Sequence, residues 1–90
     1  MLFSEMLTQV GKQLAEERRL HDAVNASTET SGMWLRGSEE AAIAPSSATG
    51  VMLRLASKGR VIHEKIFAAS EISVPRIARA ITEHLTGYTA

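Results

Sequence analysis

The sequence predicts a small α+β domain: a three-stranded antiparallel sheet, made of a C-terminal β-hairpin and a short edge strand, with an N-terminal and a C-terminal helix packed on one face. Three observations predict it. Phe3, Met6, Leu7, Val10 and Leu14 repeat at spacings of three and four, which draws one apolar stripe on a helix. Two alternating runs, 51–56 and 61–67, flank the turn Ser57-Lys58-Gly59-Arg60. After them Val74, Ile77, Ala78, Ile81 and Leu85 form a second helical stripe.

The first helix is expected from Phe3 towards His21, with Ser4 as its cap, Glu5 in the first turn and Arg18, Arg19 and His21 at the end that favours cations. Gly11 inside it costs about 1 kcal/mol relative to alanine; close approach of another backbone is one reason to keep it, and an ordinary surface position is the other reading. Residues 25–32 are small and polar and read as a loop. Met33-Trp34-Leu35-Arg36, closed by Gly37, reads as a short edge strand. Residues 37–50 are expected to be a loop or mobile segment with at most a short helix, because Ser38-Glu39-Glu40-Ala41-Ala42 looks like a capped start that Pro45 ends. The expected order is therefore α-β-(α)-β-β-α within a single domain, 1–90.

Side-chain pairing suggests a register for the hairpin. A two-residue turn at Lys58-Gly59 sets Leu55 opposite Ile62, Leu53 opposite Glu64 and Val51 opposite Ile66, with Arg54 opposite His63 and Met52 opposite Lys65 on the other face. A three-residue turn sets Leu53 opposite His63 and Val51 opposite Lys65. The first register separates apolar from basic residues better and is preferred; it turns Arg54, His63 and Lys65 outward, away from the second helix. That helix has Ser73 as its expected N-cap, Pro75 in the first turn and Gly87 past its end.

Ten basic and ten acidic residues cancel to a formal charge of zero, which counts against a chain whose main partner is a phosphate backbone. The absence of cysteine excludes disulfides and thiolate zinc sites and shows no need for an oxidising compartment, so the cytoplasm is the expected location. No apolar run approaches the length of a membrane helix and the first residues do not read as a signal peptide. At this length a homodimer is a common way to add buried surface.

No catalytic or metal-binding set emerges. His21, His63 and His84 lie on different elements, and the pairs Glu16-Glu17 and Glu39-Glu40 are adjacent, so on a helix they would point apart. No serine sits in a nucleophile elbow and the glycines form no phosphate loop. The expectation is a chain that is not an enzyme and uses no cofactor and no metal.

Two binding surfaces remain. The first is a protein-binding surface around Phe3, Met6 and Val10 of the N-terminal helix and Trp34, the lone tryptophan; each of these is also expected to serve the core. The second is a nucleic-acid surface on the hairpin, using Arg54, Lys58, Arg60, His63 and Lys65, with no aromatic residue interleaved to stack on bases. The preferred reading is a non-catalytic protein-interaction module, an accessory or regulatory protein that binds a partner protein and self-associates through its first helix, with nucleic-acid binding as the alternative. In element order alone the chain resembles double-stranded RNA-binding domains. That family opens its last helix with Lys-Lys-x-Ala-Lys, where this chain has Ser73-Val74-Pro75-Arg76-Ile77. The helix, hairpin and helix order is similar also to small phage head-to-tail joining proteins, which fits an accessory protein of a phage or bacterium.

Overall fold

The computed structural model describes residues 2–46 and 49–87. Its sheet has five strands, not three, arranged as an antiparallel meander in chain order: β1 (Val24–Asn25), β2 (Gly32–Arg36), β3 (Glu39–Pro45), β4 (Val51–Ser57) and β5 (Arg60–Phe67). Helices α1 (Phe3–Ala15) and α2 (Val74–Leu85) lie together on one face. The order is α-β-β-β-β-β-α, so the likeness in topology to α-β-β-β-α domains does not hold.

The largest correction falls on residues 37–50. Glu39–Pro45 is neither loop nor helix but β3, the central strand of the sheet. Its alternation is plain once the fold is known: Ala41 and Ile43 are fully buried while Glu40, Ala42 and Ala44 are half-buried on the opposite side. Alanine and glutamate favour helix, but the hydrogen bonds of two flanking strands outweigh a propensity of a few tenths of a kcal/mol per residue. Gly37 makes the turn into it, with φ of +61° directly after Arg36, where a two-residue hairpin turn takes glycine in its first central position. Ser47 and Ala48 of the expected loop lie outside the described residues. Within 25–32, Asn25 pairs with Trp34 as part of β1 and Gly32 opens β2.

The first helix stops at Ala15, short of His21, and starts one residue before the expected cap; the Ser4 carbonyl instead accepts from the Thr8 hydroxyl. Glu17 ends the run by accepting from the backbone N–H and the guanidinium of Arg19, starting a 3₁₀ turn, Arg18–Leu20, that carries Leu20 into the core. Ser73 caps α2 as expected, accepting from the Arg76 N–H. The core sits between the helices and the sheet, with Met6, Val10, Ile43, Leu53, Ile77 and Ile81 at its centre. At Gly32 the helix layer comes so close that a Cβ would lie 2.6 Å from Leu7 Cδ1 and 2.6 Å from Trp34 Cη2. Gly11 meets no backbone; its nearest neighbour would be Trp34 Cζ2 at 3.9 Å.

The hairpin turn is the two-residue one, with Ser57 opposite Arg60 and positive φ at both Lys58 and Gly59, the geometry of a type I′ turn. Beyond it the register departs from the preferred one. Ala56 faces Val61 but Leu55 faces His63, so Ile62 is an extra residue in a bulge. Every later residue of β5 therefore shifts by one, giving Leu53 opposite Lys65, Arg54 opposite Glu64, Met52 opposite Ile66 and Val51 opposite Phe67. A one-residue slip exchanges the two faces, so Ile62 and Ile66 leave the helix side and Phe67 alone of β5 is buried there.

Candidate functional site: the uncovered sheet face

The helices cover one face of the sheet, and among the described residues nothing covers the other. By alternation from the buried residues, the open face carries Val24, Met33 and Leu35 on β1 and β2, Glu40, Ala42 and Ala44 on β3, Met52, Arg54 and Ala56 on β4, and Ile62, Glu64 and Ile66 on β5. Val24 is 59% exposed, Met33 38%, Ile62 57% and Ile66 62%. Antiparallel sheets often leave one face to solvent, but then that face is normally polar. Here the charged groups on it are Glu40 and the pair Arg54–Glu64, whose Nε and Oε2 are 2.9 Å apart. Exposed large apolar side chains gathered on one face, here divided by Glu40 and the Arg54–Glu64 pair, are a mark of an interaction site.

Of the residues singled out from sequence, Met6, Val10 and Trp34 are buried in the core and Phe3 packs against it. The stripe of α1 is thus taken up within the fold and leaves little for a partner. Leu2 and Phe3 do border a shallow cleft of about 220 Å³ with Pro45, Val51 and Ile72. The basic set of the hairpin does not gather. Arg54 is on the open face and paired with Glu64, whereas His63 and Lys65 are turned to the helix side, where the Lys65 ammonium lies 4.8 Å from the centre of the Phe67 ring. Lys58 and Arg60 are exposed at the hairpin tip.

From the sequence Ile62 and Ile66 are expected on the core side, Ala42 and Ala44 in a loop or short helix and Met33 in an edge strand, so none of them is expected to form an open apolar face. The one available signal was the alternation in Glu40-Ala41-Ala42-Ile43-Ala44, which alanine blurs because it suits either environment.

Polar clusters on the helix side hold the layers together. The Ser57 hydroxyl donates to Glu39 Oε1 at 2.7 Å, and His84 Nε2 stands 2.8 Å from the Ala56 carbonyl and 3.3 Å from Glu39 Oε2. Both neighbours of that nitrogen are acceptors, so it carries the proton. The Ser57 hydroxyl faces the carboxylate and not the imidazole, and the cluster ties the last turn of α2 to β3 and β4. Arg36 does the same from β2, donating from Nη1 to the Leu85 carbonyl at 3.0 Å and from Nε to Asp22 at 2.9 Å. The hydrogen bond from Arg36 holds the Asp22 carboxyl below its ordinary range, as that from Arg19 does for Glu17. Among the described residues no group of three His, Asp or Glu side chains is placed to hold a metal ion, and no helix is long and apolar enough to cross a membrane.

Comparison with known protein families, with curated proteins and with solved structures finds no match to this chain.

Proposed function

We propose that the chain is a non-catalytic protein-interaction module, an accessory or regulatory protein whose binding surface is the uncovered face of the sheet. The observation that carries this is the apolar character of that face, bordered by Met33 on one side and Ile62 and Ile66 on the other. Leaving such side chains in water forgoes about 25 cal/mol for each Å² that a partner would cover. The zero net charge and the division of the basic residues between two faces favour a protein over a nucleic acid as that partner.

The test is a photo-crosslinking residue placed at Met33 or, as a control on the helix side of the molecule, at Gln9, in cells that make the protein. Protein adducts from position 33 and none from position 9 are expected. No protein adduct from position 33 would sink the proposal. A salt-sensitive retardation of DNA or RNA, lost when Arg54, Lys58, Arg60 and Lys65 are changed to alanine in a folded chain, would move the reading to nucleic acid.

A further inference from the structure

Both edges of the sheet are poorly suited to pairing with another strand. β1 has only two residues. β5 carries the bulge at Ile62 and presents His63 and Lys65 on the helix side, where an added strand and its layer would have to bury them. Bulges and inward-facing charges are the devices by which edge strands avoid pairing. Ile62 and Ile66 are thereby left to the broad face.

The ladder between β3 and β4 indicates what that face fits. Glu40 lies opposite Ala56, Ala42 opposite Arg54, and Ala44 opposite Met52. Each pair sets an alanine beside a long side chain, the long one on β3 at Glu40 and on β4 at Arg54 and Met52. A two-fold axis running along the strands, midway between β3 and β4, lays β3 of one molecule over β4 of another at the same height. Every long side chain then stands over an alanine: Met52 on Ala44, Arg54 on Ala42 and Glu40 on Ala56, twice over by symmetry. Facing sheets pack about 10 Å apart, a gap suited to one long and one short side chain.

From this pattern we infer that the uncovered face is a homodimer interface in which two copies pack sheet to sheet about that axis. The inference rests on reading the face as a protein-binding surface and names its occupant. Charge is compatible with it: Glu40 of the second copy is offset from Arg54 by about 7 Å along the strand and by the ~10 Å between facing sheets, while the two Arg54 side chains, at one height on either side of the axis, each have their own ion pair with Glu64. Size agrees as well. Strands β2 to β5 present a face of roughly 450 Å² in projection, and its side chains raise the accessible area towards the ~800 Å² per partner of a standard interface. An edge-to-edge contact along one strand would fall well short of that.

Sedimentation equilibrium on the full chain, from about 10 μM to about 1 mM, tests the inference. The mass is expected to approach twice the 9.8 kDa of the chain. Ala44→Met sets methionine against methionine and Met52→Ala sets alanine against alanine, and each single change is expected to weaken association about tenfold or more. The double variant exchanges the two residues, restores a long side chain over a short one, and is expected to recover most of the loss. Circular dichroism and Trp34 fluorescence establish that each variant is folded. A monomer throughout the range overturns the inference, and so does a dimer whose affinity neither single change alters or the double change fails to restore. If the chain is monomeric while position 33 still crosslinks a different protein, self-association is excluded and the reading of the face as a protein-binding surface stands.

Discussion

Two glycines face the same tryptophan, and adding a methyl group to each should shift stability in opposite directions. At Gly32 the added carbon would lie 2.6 Å from Leu7 Cδ1, 2.6 Å from Trp34 Cη2 and 2.8 Å from Ile43 Cγ1. All three distances are well inside van der Waals contact, and Trp34 and Ile43 are held in the core. The φ of Gly32 is not in the left-handed region, so the cost is steric alone. Overpacking of a filled core costs ~1–3 kcal/mol, and three simultaneous clashes place Gly32→Ala in the upper half, about 2–3 kcal/mol. In a domain of this size that lowers Tm by roughly 10–20 °C. At Gly11 the corresponding contact, Trp34 Cζ2 at 3.9 Å, is an ordinary one. Gly11→Ala therefore gains the helix propensity of alanine, about 0.5–1 kcal/mol. Urea unfolding followed by the fluorescence of Trp34, the single tryptophan, reads both changes in one assay. A Gly32→Ala variant within about 0.5 kcal/mol of the parent would refute the close approach of α1 to β2 on which the estimate rests.

Arg36→Ala removes the donor that satisfies the Leu85 carbonyl and is expected to destabilise by about 1–2 kcal/mol, with amide exchange in the last turn of α2 rising more than in α1. Lys58 holds a left-handed φ of +53° in the hairpin turn, so Lys58→Gly should raise stability by about 0.5–1 kcal/mol in thermal unfolding. The Asp22 carboxyl is lowered by its hydrogen bond from Arg36. A group whose pKa is lower folded than unfolded adds stability above its unfolded value and loses it as pH falls through the folded one. Unfolding free energy measured below about pH 5 should therefore fall less steeply in Asp22→Asn than in the parent.

Both helices were legible in the sequence because their stripes are long and α2 has a serine cap and a proline in its first turn. The hairpin was legible too, since Lys58-Gly59 marks its turn. What could not be read were features fixed by distant neighbours. β3 is made of residues with helical preference, and it is a strand because β2 and β4 lie on either side of it. The bulge at Ile62 has no local signal: alternation through Val61, Ile62 and Ile66 is compatible with either face until the coverage of β5 by the helices is known. That coverage ends at Phe67. An open face follows from placing both helices on one side, but its make-up does not: without the bulge His63 and Lys65 fall on it, and with the bulge Ile62, Glu64 and Ile66 do.

The meander has a consequence for how the chain folds. Every strand pairs with its neighbour in sequence, so the sheet can zip together hairpin by hairpin with little loop-closure entropy at each step. The contact between α1 and α2 joins opposite ends of the chain, closes the longest loop of the fold and is expected to form after the hairpins. Until then both faces of the sheet are apolar and wet, and the nascent protein is at its most prone to aggregate. Docking of the terminal helices is therefore the slow event that refolding kinetics should detect, and Gly32, at the seat of α1, is the position where it should be felt first.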